Sequence, residues 1–94
     1  MQSLNHSETQ DVDARRKRLL FRSAHRGMQE NDLFLGRFAE RHLETMNDEQ
    51  LDRFEALLEE NDNDLFNWIS RRESLPAALD HDVMKMILSF NIFP

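Results

Sequence analysis

Apolar residues recur along this 94-residue chain at the three- and four-residue steps of amphipathic helices, and no stretch alternates as a half-buried strand would. From Asp13 to about His25 there is no helix breaker. Leu20 and Ala24 stand one turn apart beside Phe21, which predicts a first helix with a basic outer face, ended by Gly27. A second helix is predicted from about Gln29 to Leu43, with Leu35, Phe38, Ala39 and His42 on one stripe and Leu33 and Phe34 broadening it. A third begins at Asn47 as N-cap, with Gln50 as capping-box partner and Met46 and Leu51 spaced as a hydrophobic staple; Leu51, Phe54, Leu57 and Leu58 turn inward. Asp62 is read as the cap of a short fourth helix with Asp64 in its first turn and Leu65, Phe66, Trp68 and Ile69 as its apolar residues. The pattern breaks around Ser74 to Pro76, and a fifth helix is predicted from near Asp80, facing the core with Val83, Met84, Ile87, Leu88 and Phe90. Residues 1–12 are polar and aperiodic and read as a disordered lead. The expected architecture is all-α: one single-domain bundle of about five helices over residues 13–92.

Composition narrows the function. A chain this short builds one core and has little interior left for a deep substrate pocket. With no cysteine there is no disulfide, thiolate metal site or cysteine nucleophile. The N-terminal segment has acids and no apolar core, unlike a signal peptide or presequence, so a cytoplasmic location is expected. Apolar runs reach only three residues, as at Leu19 to Phe21, far short of the roughly 20 that cross a bilayer. The net charge of −6 hides an asymmetry. Arg15, Arg16, Lys17, Arg18, Arg22 and Arg26 lie in a stretch free of acids, whereas the segment from Glu40 to Asp64 carries ten acids against Arg41 and Arg53.

Candidate chemistry is sparse. His6, His25, His42 and His81 fall on separate elements without ligand spacing, so no metal site is expected, and His81 reads as a first-turn polar residue. None of Ser23, Ser70, Ser74 and Ser89 sits in a nucleophile elbow, and Gly27 and Gly36 make no phosphate loop. Catalytic residues are therefore expected to be absent. One corner is more informative: Arg26, Gly27 and Glu30 set a charged pair around a glycine between two helices. Such a corner lets a partner's backbone approach while Arg26 offers donors and Glu30 acceptors. An intramolecular Arg26–Glu30 pair beside a capping glycine accounts for the same residues equally well.

Arg26-Gly27-Met28-Gln29-Glu30 resembles the Arg-Gly-x-x-Glu hallmark of the succinate dehydrogenase assembly factor family that promotes flavinylation, bacterial type. A second family pattern, an acidic turn followed by Asp-Leu-x-x-Trp, is similar to Asn61 through Ile69, with Asn63 where proline is common. Arg18 to Ser23 and Asp32-Leu33 extend the similarity, which covers about residues 13–90. The resemblance implies a non-enzymatic chaperone that binds the flavoprotein subunit of succinate dehydrogenase, and in some bacteria that of fumarate reductase, and helps it acquire covalent FAD. It implies that Arg26, Gly27 and Glu30 contact that partner, with Asp62, Asp64 and Trp68 as lesser contacts. FAD would be the partner's cofactor and not this chain's own. A rival expectation is a nucleic-acid-associated or antitoxin-type regulator that uses the basic first helix; net acidity and the lack of interleaved aromatics weigh against it.

Overall fold

A computed structural model describes the backbone of residues 3–90 and the side chains of residues 11–90. The first two residues of the expected lead and the last two of the expected domain lie outside the described residues. Among the described residues there are five α-helices and no strand: α1 (Ser3–Ala24), α2 (Gln29–His42), α3 (Asp48–Leu58), α4 (Asp62–Ile69) and α5 (Asp82–Ser89). Single 3₁₀ turns at Leu43–Thr45 and Ala77–Leu79 lead into α3 and α5. The all-α bundle is the architecture expected from the periodicity.

Three boundaries differ. α1 begins at Ser3, not Asp13, because nothing in residues 3–12 breaks a helix that is already propagating. The cap of α4 is Asn61, whose side chain accepts from the Asp64 amide at 2.8 Å; Asp62 is the first helical residue and is thereby released for another role. α5 starts two residues late, and its cap is His81, whose Nδ1 accepts from the Met84 amide at 3.2 Å. The α3 capping box forms as predicted, with Asn47 accepting from the Gln50 amide and Gln50 from the Asn47 amide.

The core is built from Leu35 and Phe38 of α2, Leu51, Phe54 and Leu57 of α3, Leu65 of α4 and Val83, Met84 and Ile87 of α5, all essentially inaccessible. α1 contributes a different face from the one expected. Leu19 and Ser23 are buried, while Phe21 is 63% exposed. Two residues along a helix is a rotation of roughly 200°, so burying Leu19 turns Phe21 outward. The Ser23 hydroxyl satisfies itself on the Leu19 carbonyl at 2.6 Å.

The inward phase of α1 also consumes much of its charge. Arg15 bonds Asp52 at 2.6 Å and Glu55 at 2.8 Å, and Arg22 bonds Glu59 at 2.7 Å. Arg16 donates to the Leu43 and Met46 carbonyls at the end of α2 and the turn after it. The basic stretch thus meets the acidic one, and of the six cations only Lys17 and Arg18 make no hydrogen bond or ion pair among the described residues. A phosphate-reading face on the first helix is not supported, since Arg15, Arg16 and Arg22 are engaged within the fold and only Lys17 and Arg18 are left on it.

α1 and α2 cross closely at Gly36, where an added Cβ would lie 3.1 Å from Ala24 Cβ and 3.4 Å from its Cα. Gly36→Leu should therefore destabilise the protein by about 2 kcal/mol through overpacking. Thermal unfolding would show a lower Tm; a Tm equal to wild type would mean that the crossing relaxes freely.

Candidate docking site

The corner between α1 and α2 is held by carboxylates and a guanidinium. Gly27 has φ +113°, a conformation open to glycine and strained for other residues, and a Cβ there would meet nothing within 4 Å. Its amide and that of Arg26 both point at Asp32, with Arg26 N to Oδ1 at 2.6 Å and Gly27 N to Oδ1 at 3.2 Å. Asp32, in the first turn of α2, thus fastens the turn to the helix that follows it.

Arg26 does not pair with Glu30. Its guanidinium is drawn inward, only 10% exposed, where Nε donates to Asp62 Oδ1 at 2.6 Å. The other two nitrogens donate to the Leu58 carbonyl at 2.9 Å and the Glu60 carbonyl at 2.7 Å. One side chain therefore closes the carbonyl end of α3 with a positive charge and neutralises the first acid of α4. Asn31, 1% exposed, completes the joint by donating to the Asp62 carbonyl at 3.0 Å and to Oδ1 at 3.1 Å. Burial works to raise the Asp62 pKa, but hydrogen bonds from Arg26 and Asn31 and the charge of Arg26 outweigh it and hold the carboxyl below the usual range.

Of the six residues singled out in the sequence, this joint unites Arg26 and Asp62, so the two motifs form one unit in space. Asp64 is half-buried and paired with Asn61, and Trp68, 7% exposed, is part of the core. Gly27 and Glu30 remain exposed on the outside of the joint. Glu30 makes no hydrogen bond or ion pair among the described residues. It lines a cleft of about 380 Å³ between α2, α4 and α5, together with Phe34, Phe66, Ile69, Leu88 and Phe90.

The turn after α4 completes the cleft; the end of this helix near Arg71 is legible in the sequence, but the left-handed backbone there is not. Arg71 has φ +65°, the one non-glycine residue with positive φ among those described. The Arg71 amide donates to the Trp68 carbonyl at 3.1 Å and the Arg72 amide to the Asn67 carbonyl at 2.8 Å, a Schellman ending in which glycine usually takes the place of Arg71. Holding a non-glycine residue there costs about 1 kcal/mol. Nothing in a lone Arg71-Arg72 pair announces it. Asn31 did carry a signal, as a polar residue on the same stripe as Phe34, Leu35 and Phe38. Among the described residues no three His, Cys, Asp or Glu side chains gather as metal ligands.

The joint makes a prediction about acid. Because the folded-state pKa of Asp62 lies below its unfolded value near 3.9, its stabilisation is complete above about pH 4 and is lost as pH falls through the folded pKa. Asp62→Asn should cost roughly 2 kcal/mol at pH 7, with the gap to wild type closing as pH falls below 4. Urea unfolding over that range tests it; a gap independent of pH would mean that the charge of Asp62 adds nothing.

Comparison with known proteins places the chain. Residues 17–91 match the family described as the flavinator of succinate dehydrogenase. Relatives include the mitochondrial succinate dehydrogenase assembly factor 2 of Dictyostelium discoideum, 37% identical over 86% of this chain and 57% of its own length. That of Danio rerio is 38% identical over 84% of this chain and 51% of its own, and that of Meyerozyma guilliermondii 34% over 80% and 58%. The chain thus spans little more than half the length of these relatives. Among the described residues no helix is long and apolar enough to cross a membrane. The expected cytoplasmic location is overturned by the relatives' names, each of which specifies mitochondria; a composition without cysteine does not separate two reducing compartments. With about four fifths of its length matched and relatives above 30% identity across most of it, the chain belongs to the succinate dehydrogenase flavinator family.

Proposed function

We propose that this protein is an assembly factor that binds the flavoprotein subunit of succinate dehydrogenase and promotes covalent attachment of FAD without turnover of its own. The observation that carries this reading is the Arg26–Asp62 joint, which ties both family motifs together and leaves Gly27 and Glu30 exposed on its outer edge. Family membership supports the activity, and the exposure of Gly27 and Glu30 supports this choice of surface. An exposed glycine whose Cβ position is empty admits a partner's backbone, and the Glu30 carboxylate near it, without a partner among the described residues, accepts a donor from that backbone or a neighbouring cation.

FAD is read as belonging to the partner. The first turn of α2 carries Glu30 and Asp32, which repel the phosphates that a helix N-terminus otherwise attracts. The factor would act by holding the subunit so that its own FAD and accepting histidine come into reactive geometry, an effect of positioning and not of proton or electron transfer by this chain. Arg26 and Asp62 then act as the frame of the docking edge, Gly27 and Glu30 as its contacts, and Asp64 and Trp68 as supports of α4.

Covalent flavin fluorescence of the flavoprotein subunit in denaturing gels tests this, with the subunit expressed alone, with wild type, with Glu30→Ala and with Gly27→Arg. Glu30→Ala should leave the Tm within about a degree and reduce the flavin signal severalfold, since an exposed unpaired side chain contributes little to stability. Gly27→Arg should unfold at a lower temperature by roughly 1–2 kcal/mol of backbone strain, remain folded, and lose most of the signal. Equal signal in all four lanes, with the subunit soluble, would contradict the reading.

A further inference from the structure

Arg71 is costly where it stands. It occupies the left-handed position that ends α4, where glycine fits without strain, yet its exposed side chain makes no hydrogen bond or ion pair among the described residues. It lies on the lip of the cleft that Glu30 also lines. The walls between them are mainly apolar, contributed by Phe34, Phe66, Ile69 and Leu88, with Asn31 and Ser70 as further polar lining. Arg72 is accounted for, with its guanidinium 5.2 Å from the centre of the Phe66 ring, where it props that wall. A mainly apolar pocket whose rim carries one cation and one anion without partners among the described residues has the composition of a hot spot: an anchor cavity with polar groups that set direction.

We propose that this cleft receives an apolar side chain of the flavoprotein subunit and that Arg71 binds a carboxylate beside that side chain, so that the docking surface runs from Gly27 and Glu30 across the cleft to Arg71. The inference rests on the docking function proposed above and extends it to a second element of the fold. The charges define the occupant's chemistry. An acidic group next to the apolar anchor is attracted at the α4 end by Arg71 and repelled at the α2 end by Glu30, which fixes the direction in which the partner's chain lies across the cleft. Arg71 also explains why strain is tolerated in this turn: only the fork of a guanidinium reaches a carboxylate in two-point geometry from an exposed lip.

The test separates fold from binding through substitutions that relieve strain. Affinity of the full chain for its flavoprotein subunit is measured by calorimetry at low and high salt for wild type, Arg71→Gly, Arg71→Glu, Phe66→Gln and Glu30→Ala, each with its Tm. Arg71→Gly should hold or raise the Tm, since glycine is unstrained there, while weakening binding about tenfold. Arg71→Glu should weaken it further, and the loss should shrink at high salt as screening reduces the ionic part. If wild type binds and Glu30→Ala weakens binding, but both Arg71 variants and Phe66→Gln bind within about twofold of wild type, docking at the corner stands and the cleft proposal falls. If wild type does not bind the subunit, both fall.

Discussion

The Arg26 guanidinium is the constraint on which the rest of this structure depends. It sits between the end of α3 and the start of α4, answers two carbonyls and one carboxylate, and leaves Asn31 to complete the coordination of Asp62. A carboxylate, two helix-terminal carbonyls and an amide in one partly buried place would be costly without that cation. With it, two turns far apart in sequence are fixed relative to each other. Asp32 holds the backbone on the other side of the same residue, so the corner is restrained from both ends.

This arrangement assigns different work to residues that the sequence presents as one motif. Arg26 faces inward and sets geometry; Gly27 and Glu30 face outward and are free to be contacted. The same division holds for α1 as a whole. Arg15, Arg16 and Arg22 are spent on α3 and on the end of α2, which converts an apparent basic patch into internal bracing. The exposed residues proposed here for a partner, Gly27, Glu30 and Arg71, lie along the edge from the corner to the turn after α4. A protein that acts by holding another in position needs such an edge to be rigid, because a loose surface would transmit little of its binding energy into geometry.

Much of the fold was legible because local rules decided it. The capping box of α3 needs only Asn47 and Gln50 three residues apart, and the stripes of α2 and α5 repeat clearly enough to give the inward faces, except that Leu33, expected to broaden the α2 stripe, is 44% exposed. α1 was harder: its apolar residues Leu19, Leu20 and Phe21 are adjacent, so periodicity alone does not say which is buried, and contacts with α2 and α3 choose Leu19. The α4 cap was misplaced by one residue because Asn61 and Asp62 are both good caps, and a bond from Arg26, 36 residues away, claims Asp62. In the candidate site, family resemblance located the motif residues, but only the coordinates distinguish the framing arginine from the exposed glutamate. Arg71 was invisible because left-handed residues other than glycine and asparagine have no sequence signature.

One continuous edge, made of the α1–α2 corner and the turn after α4, is the surface proposed here for the flavoprotein subunit. Amide hydrogen exchange of this protein, free and saturated with that subunit, tests it most directly. The account predicts that protection on binding appears jointly in residues 25–33 and 66–73, with the outer face of α1 around Lys17 and Arg18 unchanged. Protection confined to α1, or absent from both segments while the complex persists, would contradict it.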